Sequence, residues 1–429
     1  MTGVLLLFCS FVLLVILGMP IALSFGVSSV LTMLYLGLDT SLLSELMFEG
    51  LNSYTLMAVP FFLVVGSLLN QTRIADRLME LADVLVGHIR GGMALVDTLV
   101  SMLFAGMSGT ATADVAASGS IIMPALVKRG YDVNFAIALT ATTATIGVII
   151  PPSISMIVYG SSTNVSIGGL FIAGVVPGVF LSLALMLYSY IYSIRRGMVG
   201  GPRASVPQVA TAFGRAFIPL WIPVILVGGV VSGQFTATEC GVIGVVLAVV
   251  LGIAYRTMNF AAMPAMLKES ALIYSLALFL VSTAVTFGWL IAYLEVPLYI
   301  GEFLGSYAED PRIVLLFLIV ILLLLGTFLD SIPAIIVMMP VIEHLVNVSD
   351  ANPIHTGLVV IMTLAMGHIT PPTGTPLYLA CAIMKQPMVK VIPALLPIYF
   401  LYMAVVIVVA MVPDIALFLP RYFMGPAAG

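Results

Sequence analysis

Gly147–Tyr159 reads GVIIPPSISMIVY and Gly367–Leu379 reads GHITPPTGTPLYL. Each stretch sets a glycine, then four residues on a Pro-Pro pair, then hydroxyl residues, inside a chain otherwise made of apolar runs. Proline removes an amide donor and clashes with the carbonyl four residues earlier, so each pair must interrupt a helix and leave carbonyl oxygens free. Two such interruptions in matching sequence raise the question of whether the chain around them is repeated as well.

Sliding the chain against itself by 220 residues brings landmarks into register. Pro151 and Pro152 meet Pro371 and Pro372, Gly147 meets Gly367, Gly106 meets Gly326, and Pro177 meets Pro397. Two halves follow, 1–197 and 215–412, joined by a polar, basic linker at 198–214 and followed by a tail at 413–429. Gly106 to Pro124 spans 18 residues whereas Gly326 to Pro340 spans 14, and the register is restored at the next Pro-Pro. The segment that absorbs the difference is not a simple crossing.

The composition is 62% hydrophobic and 8% charged, with a mean hydropathy of +1.22, which describes a polytopic membrane protein. The first apolar run, LLLFCSFVLLVIL, is expected to be a retained helix rather than a cleaved leader. Cys9, Cys240 and Cys381 are odd in number and lie in apolar sequence, so they read as small core residues. His88, His344, His355 and His368 are scattered without a metal-ligand spacing.

Crossings are expected in the first half at about 3–18, 20–37, 54–71, 134–160 and 168–194. Between them, 93–127 holds two short apolar arms around a Gly/Ser/Thr/Ala centre and reads as a re-entrant hairpin. Such irregular polar backbone is tolerated at membrane depth only where protein or a water-filled cavity surrounds it. Five crossings per half is an odd number, so the second half is expected upside down relative to the first, with its hairpin at 313–346 and its broken helix at 356–384. With the N-terminus outside, every Lys and Arg except Arg312 and Arg421 falls on the inner side, Arg73, Arg77 and Arg203 included. The fold class is therefore read as all-α, with two inverted repeats, ten transmembrane helices and two re-entrant hairpins, both termini outside. Opposed hairpins meeting near the midplane are the architecture of a secondary transporter.

Freed carbonyls with nearby hydroxyls suit a dehydrated alkali cation, sodium first. Gly106, Ser108 and Gly109 are expected to face Thr145, Gly147, Ile150 and Pro151, and Gly326, Thr327 and Asp330 to face Gly367, Thr370 and Pro371. Half-helix N-termini carry partial positive charge and free amides, so Thr110, Thr112, Ser153, Ser155, Thr373 and Thr375 are candidates for an anionic substrate. For each of these hydroxyls, a bond to its own helix backbone is the competing reading. Asp114 is expected to accept amides within the first hairpin, and Asp97 to lie close enough to the cytoplasmic face for solvation. RIADRLMELADVLVGHIRGG reads as an amphipathic helix along the cytoplasmic interface, and Glu239 as a helix-start residue. Pro376 has no evident role.

MAVPFFLVVGSLL, GMSGTATADVAASGSIIMPALVKRGYD, IGVIIPPSISMIVYG, LFIAGVVPG and ITPPTGTPLYLA resemble the large membrane subunit of tripartite ATP-independent periplasmic (TRAP) transporters over nearly the full chain. The resemblance implies sodium-driven uptake of organic acids such as dicarboxylates or sialic acids across a bacterial inner membrane, by an elevator motion. It also implies two partners: a periplasmic substrate-binding protein, and a small four-helix membrane subunit expected here as a separate polypeptide. Its sodium sites lie between each hairpin and the following Pro-Pro, which carries onto Gly106, Ser108, Gly147 and Pro151, and onto Gly326, Gly367, Thr370 and Pro371. No cofactor beyond the coupling ion and no nucleic-acid partner are expected. The rival readings are a self-sufficient sodium/carboxylate symporter, an intramembrane enzyme resting on Asp114 and Asp330, and a channel.

Overall fold

In the computed structural model the described residues are 2–72, 74–258, 260–261 and 263–425, and the side chains of Asn70, Gln71 and Ser108 are not among them. Arg73, and 426–429 of the expected tail, lie outside the described residues, as does the Ser108 side chain among the sodium candidates. All the regular structure described is helical.

Seven described helices are long and apolar enough to cross a membrane, or eight if Ser41–Leu51 and Thr55–Leu69, bent by 61°, make one span. They include Val133–Thr163 taken through its break, Ile167–Arg195, Val206–Val231, Met263–Tyr293 and Met388–Met411. Leu13, Ile16, Val224, Val246, Val250 and Leu276 stand exposed on their outer faces, an apolar surface that only lipid or another apolar partner can cover. The chain is thus an all-helical polytopic membrane protein. Thr2–Ile16 and Ile21–Leu36 are shorter, at 15 and 16 residues. At 1.5 Å per residue they reach only about 23 Å against a hydrocarbon core of about 30 Å. A count of ten crossings requires such shorter helices to cross too.

Two helices are buried on every side: all residues from Phe135 to Ala144, and all from Ile354 to Gly367. A helix apolar and buried all round belongs to the interior, and these are the helices that run into the Pro-Pro breaks. Gly92–Ser108 packs against the first and Pro311–Gly326 against the second. Elsewhere small residues set close approach: a Cβ on Gly241 would lie 2.8 Å from Phe61 Cβ, and one on Gly244 would lie 2.9 Å from Val65 Cγ2. These contacts dock Ala237–Ala254 on Ala58–Gln71.

Glu239 lies where a helix-start reading puts it. Its carboxylate accepts from the Thr236 amide at 2.8 Å, and its own amide donates to the Thr236 hydroxyl at 3.2 Å, closing a capping box. The amphipathic stretch forms the helix Ile74–Val86, with Ile74, Leu78, Leu81 and Ala82 on its buried stripe. That stripe packs on Gly92–Ser108 and Val206–Val231, and Arg215 Nη1 reaches Glu80 Oε1 at 2.9 Å.

Candidate functional site

The first buried helix ends at Ile149 and the chain restarts as Ile154–Thr163, with a cis peptide between Pro151 and Pro152. Ser153 closes the break from both sides: its hydroxyl donates to the Val148 carbonyl at 2.6 Å and accepts from the Met156 amide at 3.4 Å. The first hairpin turns at Gly109, whose φ of +64° is left-handed backbone that glycine adopts without penalty. Thr110 then caps the short Ala111–Asp114 helix by accepting from the Ala113 amide at 3.4 Å. This tip abuts the break. A Cβ on Gly109 would lie 3.0 Å from the Pro152 carbonyl oxygen, and one on Gly106 would lie 3.6 Å from that of Pro151. Gly147 is buried and Ile150 is half-buried.

The second buried helix ends at Gly367, and Thr375–Ile383 restarts the chain beyond a cis Pro371–Pro372 peptide. Pro376 occupies the first turn of the restart, where its missing amide would have had no helical partner anyway; that is its structural role. Here the contact with the hairpin is backbone on backbone: a Cβ on Gly367 would lie 2.8 Å from the Cα, carbon and oxygen of Gly326. The Thr373 hydroxyl donates to the Thr327 carbonyl, a second tie across the same gap. Asp330 caps Ser331–Ser349 by accepting from the Ser331 amide at 2.8 Å.

The hydroxyls of Thr145, Thr327 and Thr370 donate to carbonyls of their own helices, Thr142, Leu324 and Met366, at 2.7, 2.7 and 3.0 Å. Donation uses the proton and leaves the oxygen lone pairs available to a cation, so this bonding is compatible with ligation.

Both hairpin tips and both restarted helices converge on one cavity of about 440 Å3. Its wall includes Thr110 and Thr112 from the first tip, Ser155 and Thr375 from the restarts, and Asp330 with Ser331 from the second tip. Leu63, Ser67, Ile273 and Ala277 close it from the helices outside. Ser153 and Thr373 are not among the lining residues; their hydroxyls are turned to the Val148 and Thr327 carbonyls. The sequence reading also missed His368. Its Nε2 lies 2.7 Å from Asp330 Oδ1 and 2.9 Å from Ser331 Oγ, at the cavity wall. The available signal was that His368 is the sole ionisable residue in either quoted Pro-Pro stretch apart from Tyr159 and Tyr378.

Two expectations are overturned. Asp97 is not solvated: it is fully buried and accepts from the Thr140 hydroxyl at 3.0 Å. Asp114 is equally buried and accepts from the Ser118 hydroxyl at 3.0 Å rather than from hairpin amides. Among the described residues no group of three or more His, Cys, Asp or Glu is arranged to hold a metal.

The model of the family described as the DctM component of the tripartite ATP-independent periplasmic transporter matches residues 8–415. The chain is 34% identical over 383 residues to the sialic acid TRAP transporter large permease protein SiaM of Vibrio cholerae, covering 89% of this chain and 90% of that protein. It is 35% identical over 401 residues to the C4-dicarboxylate TRAP transporter large permease protein DctM of Pseudomonas aeruginosa, covering 93% and 94%. Its fold is similar to the crystal structure of the YdaH transporter of Alcanivorax borkumensis, with a TM-score of 0.63 at 14% identity over 90% of this chain and 88% of that one.

Proposed function

The chain belongs to the DctM component family of tripartite ATP-independent periplasmic transporters, and from that premise we propose that it imports an organic acid anion, a dicarboxylate, a sialic acid or similar, coupled to sodium. It is a large transport permease and not an enzyme. The single observation that carries the reading is the convergence of both hairpin tips and both restarted helices on one cavity. A substrate there meets helix N-termini, which favour anionic groups, and the hydroxyls of Thr110, Thr112, Ser155 and Thr375. Ser153 and Thr373 act on it indirectly, by holding the two breaks in shape.

Two sodium ions would sit where each hairpin meets its break. One set is Gly106, Ser108, Gly109, Thr145, Gly147, Ile150 and Pro151; the other is Gly326, Thr327, Asp330, Gly367, Thr370 and Pro371. The glycines let backbone oxygens approach closely, and proline leaves carbonyls without an intrahelical donor. Ordering both hairpins with sodium would shape the cavity between them, which is a physical route to coupling.

The finer architecture belongs to the same proposal: inverted repeats over 1–197 and 215–412, ten crossings with two hairpins, and both termini on the periplasmic side of a bacterial inner membrane. The hairpins and broken helices would slide as one transport domain against the other helices in an elevator motion. Substrate would be delivered by a periplasmic binding protein, with a small membrane subunit packed against the exposed outer helices.

The test is uptake into proteoliposomes holding this chain with its small-subunit partner, with and without an inward sodium gradient, and with and without the cognate binding protein. Uptake that needs both supports the reading. Sodium-driven uptake without the binding protein would instead make the chain a self-sufficient symporter, and uptake indifferent to sodium would end the coupling proposal.

A further inference from the structure

A second cavity, of about 550 Å3, opens where the amphipathic helix, the linker and the start of Val206–Val231 meet. Its wall carries two carboxylates and two guanidiniums: Glu80 and Asp83 from the amphipathic helix, Arg203 from the linker and Arg215 from Val206–Val231. Nothing in the proposed transport cycle uses it.

Backbone bonds hold this wall in place. The Gly201 amide donates to the Gly87 carbonyl at 2.9 Å, which ties the linker to the end of the amphipathic helix two residues before Arg203. The next helix then starts behind a capping box, the Ser205 amide donating to Gln208 Oε1 at 2.8 Å. Arg215 Nη1 spans both carboxylate oxygens of Glu80, at 2.9 and 3.2 Å, and engages one nitrogen of a group that has five donors. Arg203 and Asp83 line the same cavity without bridging it, and among the described residues neither is in an ion pair. Arg77 is committed elsewhere, its guanidinium 3.4 Å from the centre of the Tyr255 ring.

Charge sets the character of the ligand. A guanidinium and a carboxylate that face one space without meeting leave room for a molecule carrying both signs: arginine matches the geometry of a phosphate, and a carboxylate accepts from an ammonium. The four charges cancel, so a purely anionic headgroup would gain at the arginines and be repelled at Asp83.

Depth sets its source. Phe213 and Phe217 stand two residues either side of Arg215, within about 3 Å of it along the helix axis, and both are exposed. With Trp221, also exposed, they form a ladder with ring centres 5.9 and 6.2 Å apart. From Ala216 to Val231 the helix carries no charged residue. Exposed aromatics where charge gives way to an apolar run mark the headgroup level of a bilayer. Arg215 and the cavity it lines are at that level, with exposed Ile218 three residues further along to meet an acyl chain.

We propose that this cavity binds the headgroup of a zwitterionic phospholipid of the phosphatidylethanolamine class, its phosphate held by Arg203 and Arg215 and its primary ammonium by Asp83 and Glu80. Such a lipid fastens the linker to the amphipathic helix.

The full chain with its small-subunit partner is delipidated in detergent and given phosphatidylethanolamine, phosphatidylglycerol or phosphatidylcholine, as wild type and as the Arg203→Gln/Asp83→Asn variant. Native mass spectrometry counts the retained lipids and thermal unfolding reads their effect. The wild type is expected to retain one phosphatidylethanolamine per chain that the variant loses, and to melt higher with that lipid than with the other two. Phosphatidylglycerol lacks the ammonium, and the methylated ammonium of phosphatidylcholine has no N–H to donate. Both substituted side chains are exposed, so the variant should melt with the wild type in phosphatidylcholine. A variant that retains as much phosphatidylethanolamine as the wild type overturns the proposal, as does a wild type that melts no higher with it than with phosphatidylglycerol. If soluble glycerophosphoethanolamine alone reproduces the shift, the ligand is a small phosphorylated amine and the lipid is overturned equally.

Discussion

His368 Nε2 lies 2.7 Å from Asp330 Oδ1, so the second Pro-Pro break and the second hairpin tip are joined by an ionisable pair at the cavity wall. The Asp330 side chain is 58% exposed, and a pair this open to solvent contributes little to stability. Its consequence is positional: it fixes which carboxylate oxygen faces the cavity. His368→Ala is therefore expected to leave the thermal midpoint within a degree or two of wild type. His368→Ala frees the Asp330 carboxylate to rotate away from the cavity, and the KM for uptake is expected to rise several-fold. Uptake kinetics in proteoliposomes check this, and an unchanged KM would show that the pair does not orient anything the substrate meets.

Ser153 and Ser155 are two residues apart and should behave oppositely. Ser153 caps a helix and spans a break, so Ser153→Ala is expected to cost about 1 kcal/mol of stability and to leave KM near wild type. Ser155 lines the cavity, so Ser155→Ala is expected to keep the melting temperature and raise KM several-fold. Thermal unfolding and uptake measured on the same preparations separate the two. The reverse pattern would mean that the cavity is not the substrate site.

How much of this was legible in sequence depends on how local each cause is. Helix breaks at Pro151–Pro152 and Pro371–Pro372, and the capping role of Glu239, follow from the chemistry of a few neighbouring residues, and reading them needs no fold. Whether a hydroxyl meets a substrate or its own backbone is decided by rotamer and packing, which is why Ser155 and Thr375 could not be told from Ser153 and Thr373. Asp97 was misread for a related reason. Its burial depends on Thr140, which arrives on a helix 43 residues later, and hydropathy along its own segment carries no trace of that. His368 was passed over because its partner, Asp330, stands 38 residues earlier on another element.

Arg215 and Glu80 tie the amphipathic helix to Val206–Val231 at 2.9 Å, with both side chains about half exposed. An exposed pair of this kind is worth about 0–1 kcal/mol. Glu80→Gln is expected to change stability by less than that and to lose even this difference in high salt. The buried stripe should matter far more: Leu78→Ala removes a fully buried side chain and is expected to cost about 2–5 kcal/mol. Unfolding of the two variants at low and high ionic strength compares them. A larger effect from Glu80→Gln than from Leu78→Ala would mean that charge, not packing, holds this helix.

Gly367 and Gly228 offer the sharpest contrast among the glycines. A Cβ on Gly367 would press against the Gly326 backbone at 2.8 Å, whereas one on Gly228 would meet nothing within 4 Å. Backbone atoms at a hairpin tip cannot rotate away as a side chain can, so Gly367→Ala must push the second hairpin off its break. Overpacking of this kind costs about 1–3 kcal/mol, and the displacement moves the carbonyls proposed to hold sodium. Gly367→Ala is therefore expected to weaken the sodium dependence of uptake by tenfold or more, with a smaller loss of thermal stability. Gly228→Ala should be neutral in both, since it fills open space on an outer helix. Sodium titrations of uptake for the two variants decide the matter. If Gly367→Ala kept wild-type sodium dependence, the Gly326–Gly367 contact would be simple close packing, and the second sodium ion would have to lie elsewhere.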